Sequence, residues 1–172
     1  MKRLFGLLLA SMLSLPALAL EVGDPAPDFS LQGSNGKTYS LADFKGKQAV
    51  VIAWFPKAFT RGCTIECKSL AENGHLIRQY DTTYFMASTD KVETNTKFAE
   101  KQEADFPLLS DPDGAVAKAY GVLVPAVKVA RRVTIYIGVD GNILKIDEDI
   151  KPATSAEDIA RTLGELGVER KG

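Results

Sequence analysis

Apolar and polar positions change their period along the chain, and the pattern predicts strands that alternate with helices. Residues 48–55 (QAVVIAWF) form a continuous apolar run that Pro56 ends, which is typical of a strand buried on both faces. A second run of this kind covers residues 84–89. Between the two, residues 63–80 have the spacing of an amphipathic helix. The predicted inner positions of this helix are Ile65, Leu70, Leu76, Ile77 and Tyr80.

Turn and cap residues predict the other elements. These are a hairpin over residues 29–40, a charged helix over 91–102, a short helix that Asp113 caps and that ends at Tyr120, a hairpin over 132–147, and a last helix over 155–166. Strands interleaved with helices, followed by a late hairpin, predict an α/β fold. In such a fold α-helices flank a mixed central β-sheet.

The start of the chain has the composition of an export signal. Positively charged residues precede an apolar run over residues 4–15, and Ala17-Leu-Ala19 supplies the small residues of a cleavage site. We therefore expect residues 1–19 to be a signal peptide, and residues 20–172 to be one exported domain in a periplasm or a similar compartment. The alternative is an uncleaved anchor, because the apolar stretch reaches the lower limit of a membrane-spanning length. After cleavage we expect no membrane contact.

Charge and composition exclude several function classes. The 21 Lys and Arg residues nearly balance the 22 Asp and Glu residues, so the chain lacks the basic character of a nucleic-acid-binding protein. Two Cys and one His cannot form a four-ligand zinc site, and two Cys close at most one disulfide. We therefore expect no metal, no cofactor and no nucleic-acid partner.

The candidate chemistry lies directly after the most apolar strand. Cys63 is placed at the start of the following helix, where unpaired backbone N–H groups and the helix dipole favour a thiolate. Thr60 precedes it by three residues, with a hydroxyl that can bond the sulfur or an oxygen atom approaching it. The alternatives are a buried, inert thiol for Cys63 and a simple helix cap for Thr60.

The residues around Cys63 also resemble a known family. Pro56-x-x-x-Thr60-x-x-Cys63 matches the active-site motif of peroxiredoxins (AhpC/TSA family), and residues 55–64 (FPKAFTRGCT) resemble the bacterioferritin-comigratory, PrxQ-like branch. Further similarity lies in GDPAPDF at 23–29, SDPD at 110–113 and RVTIYI at 132–137. The resemblance implies a thioredoxin-like fold and a thiol peroxidase that reduces hydrogen peroxide and organic hydroperoxides in antioxidant defence.

The resemblance also implies roles for single residues. Cys63 matches the peroxidatic Cys, which becomes a sulfenic acid, while Thr60, Pro56 and Arg132 match the other three positions of the motif. A fixed guanidinium would stabilise the negative charge that develops on the leaving oxygen. Neighbours on a strand point to opposite faces, so only one of Arg131 and Arg132 can face the site. The family position favours Arg132.

Two positions depart from the family pattern. Arg61 stands where the family usually has Pro, and Cys67 lies four residues after Cys63, whereas many relatives have the second Cys five residues on. The resemblance implies that Cys67 resolves the sulfenic acid as an intramolecular disulfide, which a thioredoxin-like or other dithiol partner reduces. Cβ atoms four residues apart on a helix are about 5–6 Å from each other, and a disulfide needs about 3.8 Å. The helix start must therefore unwind.

We expect the protein to be a monomer or a weak dimer, because no face is clearly apolar.

Two other function classes use the same pair of Cys. A thiol–disulfide oxidoreductase normally has C-x-x-C, but here the spacing is C-x-x-x-C. A copper-binding chaperone on a thioredoxin-like fold has C-x-x-x-C but needs a His far downstream, and none follows His75. Thr60 and Arg132 have a role only in the peroxidase.

Overall fold

The computed structural model describes residues 19–172. The predicted signal peptide, apart from Ala19, lies outside the described residues. Within the described part of the chain, no helix is long and apolar enough to cross a membrane.

A mixed β-sheet of seven strands forms the centre of the domain, with spatial order β2-β1-β5-β4-β3-β8-β9. Strands β3, β4 and β5 are parallel to one another, and β1, β8 and β9 each pair antiparallel with their neighbours. The strands β6 and β7 form a separate small hairpin. The strand bounds are β1 Ser30–Gly33, β2 Thr38–Ser40, β3 Ala49–Trp54, β4 Thr82–Ser88, β5 Leu108–Ser110, β6 Leu123–Val124, β7 Val129–Ala130, β8 Val133–Ile137 and β9 Ile143–Asp147.

Helices cover both faces of this sheet. Within residues 19–172 the α-helices are α1 Arg61–Ile77, α2 Val92–Lys101, α3 Ala115–Ala119 and α4 Ser155–Glu165. Residues of α1, α2 and α4 share one core cluster with the sheet, and α3 shares the other with the N-terminal segment. The predicted α/β arrangement is confirmed.

Strand β3 lies in the middle of the sheet, which explains its continuous apolar sequence. It pairs in parallel with β4 and antiparallel with β8, and all six of its residues are buried. Alternate side chains reach the two core clusters, for example Ala53 on the α1 side and Trp54 on the other. The strand thereby fixes where the following loop and the start of α1 lie.

Two local predictions are wrong. Ile65 is 38 % exposed, because it lies about 200° around α1 from Cys63, while Leu70 and Ile77 are fully buried as expected. The cap of α3 is Gly114, with a φ of +72° that favours glycine. Asp113 still accepts a bond from the Ala115 N–H.

The sequence pattern does not predict strands β5, β6 and β7. Each has only two or three residues, which is too short for an apolar period to show. Strand β5 forms because β4 and β1 offer backbone partners on its two sides.

Candidate active site

The start of α1 and the end of β3 place Cys63 inside the protein. Cys63 is in the first turn of α1 and has no exposed surface. The N–H groups of the first three helical residues have no partner within the helix, and they point back toward the preceding loop. An anionic sulfur or oxygen atom is stabilised at this end of a helix.

The loop of residues 55–60 is held by a buried carboxylate. Pro56 follows β3 and lacks the N–H that would extend the strand pairing. Asp90, only 3 % exposed, accepts hydrogen bonds from Ala58 N (2.8 Å) and from Lys57 Nζ (2.5 Å). Phe59 has a φ of +65°, which is unusual for a residue with a side chain. These contacts fix the loop immediately before Thr60.

Thr60 is the residue immediately before α1, but its side chain does not cap the helix. Its hydroxyl donates to the Lys57 carbonyl over 2.8 Å. Because this bond uses the proton, the lone pairs of Oγ1 remain free to accept a hydrogen bond from an incoming O–H group.

Arg132 lies against Cys63, and Arg131 does not. Nη2 of Arg132 donates to Cys63 Sγ over 3.1 Å. Arg131 instead bonds the Glu148 carboxylate (2.6 Å) and the Gly121 carbonyl (3.0 Å) at the surface. Both arginines lie between β7 and β8 and outside either strand, and their different partners keep the two guanidinium groups apart.

Glu66 also belongs to this site, although the sequence pattern did not predict it. It is fully buried, and its Oε2 accepts a hydrogen bond from Nη1 of Arg132. Burial raises the pKa of Glu66 to about 7, although Arg132 lowers it. A signal was present, because an acidic residue three positions after Cys63 falls on the same, otherwise apolar helix face.

Gly62 allows the close approach of Arg132. A Cβ atom at Gly62 would lie 3.1 Å from Nη2 of Arg132, the atom that contacts Cys63. Any larger residue at this position would displace the guanidinium.

Cys67 lies one helical turn after Cys63, and both thiols are free. Cys67 has no exposed surface. Burial, followed by the charges of Glu66 and Cys63, raises its pKa to about 12. In this conformation Cys67 is therefore a neutral thiol, and a neutral thiol is a poor nucleophile.

The described residues offer no metal site. Among residues 19–172, no three His, Cys, Asp or Glu side chains are grouped so that they could hold an ion. His75 is exposed on α1.

Comparison with known proteins gives a consistent result. The model of the AhpC/TSA family matches residues 22–146. The chain belongs to this family. It is 34% identical over 152 residues to peroxiredoxin Bcp of Escherichia coli K12, an alignment that covers 85% of this chain and 97% of the relative.

Solved structures of peroxiredoxins share the fold. Peroxidoxin BcpB of Mycobacterium tuberculosis has a TM-score of 0.76 and 29% identity, covering 85% of this chain and 97% of that one. The bacterioferritin comigratory protein of Xanthomonas campestris, a protein with alkyl peroxide reduction activity, has a TM-score of 0.75 and 26% identity, covering 85% and 96%. The predicted thioredoxin-like fold is confirmed, and so is the Bcp/PrxQ branch.

Membership of this branch makes the protein a peroxidase. The copper chaperone and the thiol–disulfide oxidoreductase are not favoured by any of these relatives. The motif residues Pro56, Thr60 and Cys63 lie along one loop and the start of α1. Arg132, directly before β8, contacts Cys63.

Proposed function

We propose that the protein reduces hydrogen peroxide and organic hydroperoxides through Cys63, as part of antioxidant defence. The observation that carries the proposal is the 3.1 Å contact between Arg132 Nη2 and Cys63 Sγ at the start of α1. A buried sulfur next to a guanidinium and to free N–H groups is suited to attack on an electrophile that gains negative charge.

The proposed reaction begins with the Cys63 thiolate. Its sulfur attacks the terminal peroxide oxygen, so that an S–O bond forms, the O–O bond breaks and the leaving oxygen takes up a proton. Cys63 becomes a sulfenic acid, while the peroxide is reduced to water or an alcohol. Thr60 accepts a hydrogen bond from the peroxide O–H, and Arg132 stabilises the leaving oxygen.

In the proposed second step Cys67 resolves the sulfenic acid. The Cys67 thiol loses its proton and its sulfur attacks Cys63 Sγ, so that the S–S bond forms and the S–O bond breaks. The leaving oxygen takes up that proton and departs as water. Because Cys67 is buried and its pKa is raised to about 12, this step requires the first turns of α1 to unwind. A thioredoxin-like or other dithiol partner then reduces the exposed disulfide.

Serine variants test the two roles. With Cys63→Ser we expect no peroxide consumption, whereas Cys67→Ser consumes one equivalent and gains the mass of one oxygen atom. Intact-mass measurement after stopped-flow mixing with hydrogen peroxide distinguishes these outcomes. If both variants lose the first turnover equally, the assignment of the roles is wrong.

Hydrogen exchange tests the proposed unwinding. After oxidation, amides across about residues 60–73 should exchange faster, while β3 and β8 remain protected, because helix ends open at low cost. Reduction should restore protection. Equal protection in both redox states would exclude Cys67 as the intramolecular resolving residue, and an external thiol would then have to reduce Cys63.

Export is part of the proposal, and its support is the sequence of residues 1–19. Expression of the full chain in a bacterium with a periplasm, followed by fractionation, should give a periplasmic protein that begins at Leu20. A protein that keeps Met1 and sediments with membranes would be an anchored form.

The expected assembly is a monomer or weak dimer. Light scattering at two protein concentrations tests this expectation. A mass that stays dimeric on dilution would contradict it.

A further inference from the structure

Arg132 lies between two buried acidic groups. One end of its guanidinium contacts Cys63 Sγ and the other contacts the carboxylate of Glu66, and neither partner has any exposed surface. One guanidinium compensates one negative charge. Two ionised partners would leave a buried charge without compensation, which is strongly unfavourable. The geometry therefore favours a state in which only one of the two is ionised.

The other groups around Glu66 do not change this charge balance. Cys67, on the same helix, has its pKa raised to about 12 and remains neutral. The hydroxyl of Ser155, at the start of α4, lowers the pKa of Glu66. Burial has the largest effect and raises the pKa of Glu66 to about 7, so this carboxyl can hold a proton at neutral pH.

A polar cavity borders this part of the site. It has a volume of about 230 Å³ between the β8–β9 hairpin and α4, and its walls include Thr134 and Ser155. Oε1 of Glu66 and Oγ1 of Thr134 are buried and have no hydrogen-bond partner among residues 19–172. Ser155 thus connects the wall of this cavity with the carboxyl group of Glu66.

We propose that Glu66 compensates the charge of Cys63 by holding a proton while Cys63 is a thiolate and by releasing it when Cys63 is oxidised. This inference deepens the proposed peroxidase function and rests on it. The thiolate and the protonated Glu66 react with ROOH to give the sulfenic acid, ROH and an ionised Glu66. The sulfur is oxidised and the peroxide is reduced. The proton that Glu66 releases compensates the proton that the leaving alkoxide or hydroxide takes up. Glu66 acts through Arg132 as a positioning residue.

Proton uptake during oxidation tests the proposal. The Cys67→Ser protein, which stops at the sulfenic acid, is mixed with one equivalent of hydrogen peroxide in weak buffer with a pH indicator, near pH 7. We expect clearly less than one proton to be taken up from solution per sulfenic acid, because Glu66 supplies the rest. The double variant Cys67→Ser/Glu66→Gln should take up about one proton per sulfenic acid. The matched control Cys67→Ser/Glu72→Gln changes an exposed residue of α1 and should behave like Cys67→Ser.

The measured proton uptake either supports or overturns the proposed role of Glu66. Uptake of one proton by Cys67→Ser itself, or equal uptake with and without Glu66, would overturn it. If the double variant does not fold, infrared difference spectra of Cys67→Ser below pH 7 replace it. Loss of a protonated carboxyl band on oxidation would support the inference, and an unchanged band would overturn it. If intact mass shows no oxygen gain in Cys67→Ser, the proposed peroxidase function itself is wrong.

Discussion

Cys63 and Arg132 are 69 residues apart in the chain, yet Nη2 of Arg132 donates to Cys63 Sγ over 3.1 Å. The contact exists because β3, which leads to Cys63, pairs antiparallel with β8, which begins directly after Arg132. Trp54 at the end of β3 pairs with Val133 at the start of β8, so the loop that leads to Cys63 and the residue before β8 lie at the same edge of the sheet.

The first prediction separates the two adjacent arginines. Arg132→Lys should slow the oxidation of Cys63 by about 100-fold or more, because an ammonium group cannot contact Cys63 and Glu66 as a planar guanidinium does. Arg131→Lys should have little effect, since Arg131 forms a surface ion pair with Glu148. Stopped-flow fluorescence of the single Trp measures both rates. Similar small effects would show that neither guanidinium acts on the peroxide.

The second prediction concerns Gly62. Gly62→Ala places a Cβ atom 3.1 Å from Nη2 of Arg132, so the guanidinium must shift by a few tenths of an ångström. Helix propensity improves by up to about 1 kcal/mol. We expect a higher melting temperature together with a rate of Cys63 oxidation that falls several-fold. Thr64→Ala, in the same helix turn, is the control, and an equal loss of rate there would contradict the explanation.

The third prediction concerns the carboxylate that holds the loop. Asp90→Asn removes the charge that Lys57 Nζ and Ala58 N contact, so the loop before Thr60 should loosen. We expect a loss of about 1–3 kcal/mol in the free energy of unfolding and at least about tenfold in the rate of Cys63 oxidation. Urea unfolding and stopped-flow oxidation measure the two effects.

A surface ion pair provides the control for Asp90. Asp105 pairs with Arg78, and both side chains are more than 40 % exposed. Asp105→Asn should cost at most about 1 kcal/mol and leave the rate unchanged. If Asp105→Asn and Asp90→Asn had the same effect, the loop contact would not be the cause.

The fourth prediction follows from the pKa of Glu66. Burial raises this pKa from 4.5 to about 7 in the folded protein, which therefore binds more protons than the unfolded chain between these values. The free energy of unfolding should fall as the pH rises from about 4.5 to about 7, by an amount of the order of 3 kcal/mol. Glu66→Gln should abolish this decrease, whereas Glu72→Gln should retain it. Urea unfolding of the reduced proteins across this pH range measures the difference, and parallel curves for wild type and Glu66→Gln would contradict the assignment.

The amino-acid sequence by itself determines much of this architecture, because the responsible signals are local. The apolar run of β3 requires burial on both faces, and Pro56 ends the strand, so Cys63 falls at the start of α1. The apolar run of residues 133–137 is also local, and it places Arg131 and Arg132 immediately before a strand.

Only the tertiary structure decides which charged groups surround Cys63 and which contacts hold the loop before Thr60 in place. The burial of Glu66 depends on the packing of α1 against α4 and the sheet, and its contact with Arg132 joins residues 66 positions apart. Asp90 reaches the loop across 32 positions from the end of β4. The spacing of apolar residues within one element does not predict such contacts, because they form only when separate elements pack together and compensate buried charge. The same packing makes Cys67 a buried, neutral thiol.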